Sequence, residues 1–119
     1  MKMGSLSTLS WQVRLTFIKA VPFKEDDFKC KGTKFQIIKF SPHTDVKPHY
    51  HKKRTEMFYV IEGEGIIKIN GEEYRVNPND FFLCEVNDLH QFINDTDTNF
   101  IVLVFRTNEP KEDDLYWQE

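Results

Sequence analysis

The sequence predicts an all-β sandwich or barrel. Its apolar residues occur in short runs rich in β-branched and aromatic side chains, and clusters of turn residues separate these runs at even spacing. No segment shows a convincing helical periodicity. The chain has 119 residues, which is the usual length of one domain. We therefore expect a single all-β domain over residues 1–119.

Eight segments read as strands, because each is short, rich in Val, Ile, Phe or Tyr, and bounded by turn residues. In chain order they are residues 12–19, 34–40, 56–63, 65–70, 72–77, 80–86, 90–94 and 99–107. Asn70 and Gly71 tolerate the positive φ angles of a type I′ turn, so they predict a tight hairpin between the fourth and fifth strands. Only the charged tail after the last strand could be helical, and it ends in the apolar residues Leu115, Tyr116 and Trp117.

Composition excludes several classes of protein. The net charge is -3, and acidic and basic residues are interspersed, which argues against a nucleic-acid partner. No run of 18 apolar residues and no signal-peptide core is present, so we expect a cytoplasmic protein that does not interact with membranes. Cys30 and Cys84 are too few and too far apart for a disulfide framework, and we expect both to be reduced thiols.

Residues 48–65, PHYHKKRTEMFYVIEGEG, predict a metal site. On a strand, His49 and His51 project to the same face, and Glu56 begins the next apolar strand, so a bend can bring its carboxylate to the same point. His90 opens the strand 90–94, which an antiparallel barrel can fold back beside them. Imidazoles with one carboxylate suit iron, manganese, nickel, zinc or cobalt rather than calcium or magnesium. The alternative is a site that keeps these residues but binds metal weakly or not at all.

The same residues carry a resemblance to the cupin superfamily. The first cupin motif is HxH, four residues, Glu, six residues and Gly, and this spacing is met by His49, His51, Glu56 and Gly63. The second motif matches at His90 and at a later asparagine, Asn94. The resemblance covers roughly residues 33–106, with extensions at both ends that pack on this core. It implies a double-stranded β-helix, or jelly roll, and the metal ligands His49, His51, Glu56 and His90.

Four positions depart from the cupin motifs, and none of them is a ligand. His43 replaces the first glycine of the first motif, and Asn79, Glu85 and Asn87 replace the Gly, Pro and Gly of the second. Asn87 can adopt the left-handed conformation that glycine would take, so we expect the turn to be kept. Glu85 places a carboxylate near the mouth of the barrel, where it alters either ligand choice or only the rim. His43 reads as a surface histidine, with a role in the pocket as the alternative.

Two further groups of residues have competing interpretations. The basic run HKKR, residues 51–54, is either a solvated loop or a lip that steers an anionic substrate. Phe58 shares strand parity with Glu56, and Phe92 shares parity with His90, so these two side chains either line a pocket beside the metal or simply fill the core. We expect most of the 11 phenylalanines to be ordinary core residues, including Phe81, Phe100 and Phe105. Cys84 reads as a small core residue.

Four protein ligands on a six-coordinate ion leave two positions open to a small-molecule substrate. We therefore expect a metal-dependent enzyme of the dioxygenase, isomerase or decarboxylase type that acts on a small organic molecule. The alternative is a non-catalytic module that binds or senses a small molecule. The catalytic residues stay unassigned, because no residue beyond the ligands reads as a general base. Apolar segments near both termini, residues 11–17 and 115–119, predict a homodimer.

Overall fold

The computed structural model describes residues 1–118. Twelve strands are present in this range, together with a 3-10 turn at Leu6–Thr8 and the short helix α1 at Glu25–Phe28. The strands are β1 Gln12–Val13, β2 Ile18–Lys24, β3 Lys34–Phe40, β4 Thr44–Asp45, β5 His49–Tyr50, β6 Thr55–Glu62, β7 Gly65–Ile69, β8 Glu72–Val76, β9 Phe81–Cys84, β10 His90–Asn94, β11 Phe100–Thr107 and β12 Tyr116–Trp117. The all-β prediction is confirmed.

These strands form two antiparallel sheets. The first sheet has the order β1-β2-β3-β11-β6-β9, and the second has the order β12-β5-β10-β7-β8, with β4 paired to β10. Neighbours in each sheet are mostly distant in sequence, as in a jelly roll. Strands β5 and β10 of the second sheet face β6 and β11 of the first across the core.

Strict alternation of side chains builds the core between the sheets. In β6 every second residue is buried, namely Glu56, Phe58 and Val60, and in β10 the buried residues are His90, Phe92 and Asn94. The apolar core contains Ile38, Phe40, Val46, Phe58, Val60, Ile67, Val76, Cys84, Phe92, Phe100, Val102 and Val104. The predicted strand parity therefore describes β6 and β10 correctly, and it brings polar side chains into an otherwise apolar interior.

Three turns follow from residues that tolerate positive φ. Asn70 and Gly71 have φ angles of 49° and 88° and join β7 to β8, as the type I′ prediction requires. Asn87 has φ 69°, so it does take the left-handed conformation expected of it. Gly63 has φ 73°, and a Cβ atom there would overlap the carbonyl oxygen of Asn99. Position 63 therefore requires glycine, because its φ angle is positive and there is no room for a Cβ atom.

Some local predictions were wrong. The strand predicted over residues 12–19 is split into β1 and β2, because a turn closes between them with a hydrogen bond from the Arg14 N–H to the Phe17 carbonyl. The short helix α1 was not predicted. Phe81 is not a core residue: its side chain is 74% exposed, because β9 turns Phe82 and Cys84 inward and Phe81 outward.

The tail is not helical. After β11 it runs without regular structure until β12, which pairs with β5 so that Tyr116 lies opposite Tyr50. The two tyrosine rings stack with centroids 5.3 Å apart. Tertiary pairing thus fixes the tail, as its apolar end suggests. No helix within residues 1–118 has the length and apolar character needed to cross a membrane.

Candidate metal centre

Three histidines converge at one end of the core. His49 of β5 lies directly opposite His90 of β10, and His51 follows β5 immediately. The ring centroids of His49 and His90 are 4.3 Å apart, and those of His51 and His90 are 5.2 Å apart. One ligand nitrogen from each of the three lies within 4.8 Å of the others. This three-histidine site could hold a metal ion.

Backbone carbonyls orient all three imidazole rings. The Nδ1 atoms of His49, His51 and His90 each lie 2.9 Å from a main-chain oxygen, those of Lys47, Asp114 and Asp88 respectively. A carbonyl oxygen can only accept a hydrogen bond, so each Nδ1 must carry the proton. In the neutral rings the lone pair is then on Nε2, which is the arrangement found in metal-binding histidines.

Two properties of the histidines fit a metal ion. His90 is 2% exposed, and its buried Nε2 atom has no hydrogen-bond partner. Such an unpartnered buried acceptor is costly unless a ligand satisfies it. The pKa of His49 is lowered to about 4 by burial and by the neighbouring charge of His90, so His49 is neutral near pH 7 and its lone pair is free.

Glu56 of β6 approaches the histidines with one carboxylate oxygen. Its Oε1 atom lies 2.8 Å from His51 Nε2 and 3.6 Å from His90 Nε2. Adjacent donors on one ion lie about 3 Å apart when each bond is about 2.1 Å, so the separations from His51 and His90 suit a shared ion. Glu56 nevertheless lies outside the group of ligand atoms within 4.8 Å of one another, which among residues 1–118 contains the three histidines alone. The second oxygen, Oε2, accepts a hydrogen bond of 2.7 Å from Arg106 Nε. Glu56 can therefore offer one oxygen to a metal while Arg106 holds the other.

Glu56 is ionised although it is buried. Burial by itself raises the pKa of this carboxyl, but the positive charges of Arg106 and Arg54 beside it lower the pKa well below its usual value. The carboxylate therefore stays an acceptor, and so can bind a cation, across the ordinary pH range.

Two arginines and a second glutamate surround Glu56, and the sequence did not reveal them. Arg54 is 9% exposed, so the basic run at residues 51–54 is not simply solvated. Its Nη1 atom donates to Glu109 Oε1 at 2.8 Å, and its Nη2 atom is 3.1 Å from His51 Nε2. Arg106 also donates to Glu109 Oε1, at 3.0 Å. Buried charges that are paired in this way form a network around the site.

A cavity of about 60 Å³ adjoins the histidines. Its walls combine His49, Glu56, His90 and Arg106 with the apolar residues Phe17, Ile38, Phe40, Val46, Phe58 and Phe92. The structure places Phe58 and Phe92 in this wall with their rings 4.9 Å apart, at 2% and 4% exposure. Both residues thus belong to the apolar core and also line the cavity. The two interpretations of the sequence, pocket lining and core packing, therefore both apply.

The family model described as "Cupin domain" matches residues 36–106, more than half of the chain. The chain belongs to the cupin family. The resemblance seen in the two sequence motifs is thereby confirmed, and so is the jelly-roll fold that it implied.

Curated relatives match this cupin over only part of their length. Quercetin 2,3-dioxygenase of Bacillus subtilis (strain 168) is 38% identical over 66 residues, which are 52% of this chain and 20% of the relative. An oxalate-binding protein of Thermotoga maritima is 26% identical over 76 residues, or 62% of this chain and 63% of the relative. The match thus spans less than two thirds of the length of either relative.

Solved structures share the fold. A predicted oxalate decarboxylase from Thermotoga maritima superposes with a TM-score of 0.82 at 19% identity, covering 90% of this cupin and 99% of the other chain. The polyketide cyclase RemF from Streptomyces resistomycificus gives a TM-score of 0.83 at 18% identity, covering 100% and 86%. At such identities the likeness concerns the fold alone.

The remaining residues singled out in the sequence lie outside the centre of this cupin. His43 is an exposed residue whose Nε2 atom contacts Asp97 at 2.7 Å. Glu85 is exposed as well. Cys84 is buried beside Glu56 on the neighbouring strand, and burial together with the charge of Glu56 raises the pKa of its thiol, so it stays protonated. Cys84 is therefore a core residue, as expected.

Proposed function

We propose that this cupin binds one divalent transition metal ion through His49, His51, Glu56 and His90, and that it is a metal-dependent enzyme acting on a small organic molecule. The observation that carries the proposal is the buried Nε2 atom of His90, which has no partner and faces two further imidazoles and a carboxylate. Iron, manganese, nickel, zinc and cobalt all suit this donor set.

The protein residues have separate parts in this proposal. The histidines bind through Nε2 while their Nδ1 protons stay on the rings, held by main-chain carbonyls. Phe58 and Phe92 exclude water from the cavity, and Arg106 brings a positive charge to its wall. A divalent ion bound there supplies Lewis acidity toward an oxygen of the substrate and, if it is redox-active, electron-transfer chemistry.

The charge balance favours a substrate with an anionic or enolic oxygen donor. The formal charges of Glu56, Glu109, Arg54 and Arg106 cancel, so a divalent ion leaves the centre positive. The cavity of about 60 Å³ has room for a small donor group. A dioxygenase, isomerase or decarboxylase reaction fits this chemistry, and the relative named as a dioxygenase supports the first.

The alternative function is ligand binding without turnover. Among the residues that the structure describes, the cavity presents no acid or base apart from Glu56 and the histidines. The relative named as an oxalate-binding protein supports this alternative.

Metal analysis and a substrate screen test the proposal. The purified chain should carry or take up one equivalent of metal, and its iron, manganese, nickel, cobalt and zinc forms should be assayed with diketones, enols, sugar acids and flavonoid-like phenols. Oxygen uptake and product formation are both followed. We expect conversion of one class with at least one metal, and a raised KM for Phe58→Leu and Phe92→Leu. Tight binding without conversion under every metal would establish the alternative.

We propose further that the whole chain is one cupin domain and pairs as a homodimer. The outer face of the first sheet carries exposed apolar side chains, including Phe81 at 74% and Leu83 at 53% exposure. Surfaces of this kind favour association. Sedimentation equilibrium at micromolar concentration should show a dimer, and a monomer there would contradict the pairing.

A further inference from the structure

We propose that the tail segment, residues 109–118, is part of the metal centre and positions its ligands from outside through Asp114 and Glu109. This inference rests on the metal site proposed above. The tail segment lies beyond residues 36–106, which the family model matches. It does not touch the substrate cavity. Asp114 and Glu109 are therefore positioning residues.

Asp114 holds His51 and the loop that follows it. The main-chain oxygen of Asp114 accepts the hydrogen bond from His51 Nδ1, at 2.9 Å, although the two residues are 63 positions apart. The Asp114 carboxylate accepts three backbone N–H groups at 2.9 to 3.0 Å, those of Lys52, Lys53 and Arg54. Asp114 is 4% exposed. One buried residue thus fixes both the ring of His51 and the chain next to it.

Glu109 acts on Glu56 through the arginines. Its Oε1 atom accepts hydrogen bonds from both Arg54 and Arg106, at 2.8 and 3.0 Å. Arg106 in turn donates to Oε2 of Glu56 and leaves Oε1 turned toward the histidines. The Glu109 carboxylate is the acceptor that Arg54 and Arg106 share. Without it, the two guanidinium groups would repel each other beside Glu56. The direction of the Glu56 carboxylate would then be less well defined.

Strand β12 completes the contact with the third ligand. Trp117 lies opposite His49 in the β12–β5 pair, and their ring centroids are 5.5 Å apart. The tail segment therefore contacts His49 and His51 directly and Glu56 through the two arginines, whereas the ring of His90 is held by the carbonyl of its near neighbour Asp88. Outer residues that orient ligands in this way commonly set metal affinity.

Two substitutions in the full-length chain test the inference, with Co²⁺ as the probe. Asp114→Asn keeps the side-chain shape but replaces one acceptor oxygen by a donor, and Glu109→Gln removes the charge between the arginines. We expect each to weaken Co²⁺ binding about tenfold to 100-fold in a chelator competition titration. The visible absorption spectrum of bound Co²⁺ should also change, because it reports ligand geometry and a purely structural role would leave it unaltered.

Glu112→Gln is the matched control. Glu112 lies in the same segment, carries the same charge, has a side chain 71% exposed and pairs with the Lys53 ammonium at 3.4 Å. Its Co²⁺ affinity and spectrum should equal those of the unaltered chain. Thermal unfolding of the metal-free variants separates folding from binding, and if Asp114→Asn does not fold, Glu109→Gln decides.

The outcomes distinguish the two proposals. If the unaltered chain binds Co²⁺ and both variants match it in affinity and spectrum, the role of the tail segment is wrong and the metal site stands. If the unaltered chain binds no Co²⁺, the proposed metal site fails and this inference fails with it.

Discussion

The two sheets hold their parts of the centre by different means. The second sheet and the residue after β5 provide three imidazoles, each fixed by a hydrogen bond to a main-chain carbonyl. The first sheet provides one carboxylate, Glu56, fixed by the charged side chain of its cross-strand neighbour Arg106. Main-chain acceptors stay in place when side chains change, whereas side-chain partners do not. The ring hydrogen bonds of His49 and His90 should therefore tolerate side-chain changes at their acceptors better than the Glu56–Arg106 contact does. His51 depends in addition on the Asp114 carboxylate, which holds the loop beside it.

The largest effect should come from removing one of the histidine ligands. His90→Asn takes away the buried Nε2 atom, and we expect loss of stoichiometric metal, with affinity reduced by more than about 100-fold, the upper range for an outer residue. His43→Asn is the control, because His43 is an exposed histidine with φ 56° that asparagine can adopt. Elemental analysis after dialysis measures both. Equal metal content in the two variants would place the ion elsewhere.

Removing the support of the Glu56 carboxylate should come next. Arg106→Gln takes from the buried, charged Glu56 the arginine that donates to it and leaves only the longer contact with Arg54, and breaking a buried pair costs about 3 to 5 kcal/mol in the free energy of unfolding. Arg75→Gln breaks the exposed pair with Asp95 and should leave the unfolding midpoint unchanged. Urea unfolding of the metal-free proteins measures both variants. A stable Arg106→Gln protein would show that Glu56 is held by other means.

A smaller effect concerns pH. Burial, with the charge of His90, lowers the pKa of His49 from 6.5 to about 4, so between these values the unfolded chain binds a proton that the folded chain does not. Stability of the metal-free protein should therefore fall as pH drops from 6.5, by about 1 to 2 kcal/mol at pH 5. Urea unfolding at pH 7, 6 and 5 in the presence of a chelator measures this, and His49→Gln should flatten the dependence. An equally steep dependence in His49→Gln would assign it to other groups.

The smallest effect is expected where only the main chain is used. Lys47 holds His49 through its carbonyl, and its exposed side chain has no part in that bond. Lys47→Ala should leave Co²⁺ affinity within about twofold of the unaltered chain, in line with other surface substitutions. A large loss would contradict the main-chain support of His49, because the Lys47 side chain would then be holding that ring.

Local pattern was enough to predict the strands that carry Glu56 and His90 and the hairpin at Asn70 and Gly71, whereas β4, β5 and β12 were not among the eight predicted segments. Strands β3 and β10 have the predicted limits, and the spacing from His49 to Glu56 could be read directly, because strand alternation depends only on neighbouring residues. The same alternation predicted that Phe58 and Phe92 share the faces of Glu56 and His90.

The supports of Glu56 and His51 could not be predicted, because they join residues far apart in sequence. Arg106 lies 50 positions from Glu56, Glu109 lies 55 from Arg54, and Asp114 lies 62 from Lys52. Nothing local distinguishes a buried charge from a solvated one in a run such as HKKR. Phe81 was misplaced for a related reason: its strand carries apolar residues on both faces, so composition alone did not say which face is buried.

Gly63 limits which amino acids can occur at its position. Its φ of 73° and the closeness of the Asn99 carbonyl exclude every side chain, whereas Gly71, with φ 88°, has open space around the position of a Cβ atom. In a saturation library sorted for folded protein, the column for position 63 should retain only glycine. The column for position 71 should keep asparagine and aspartate as well, because they accept left-handed φ. Gly63 and Gly71 lie only eight residues apart, yet position 63 would accept no substitution and position 71 would accept several.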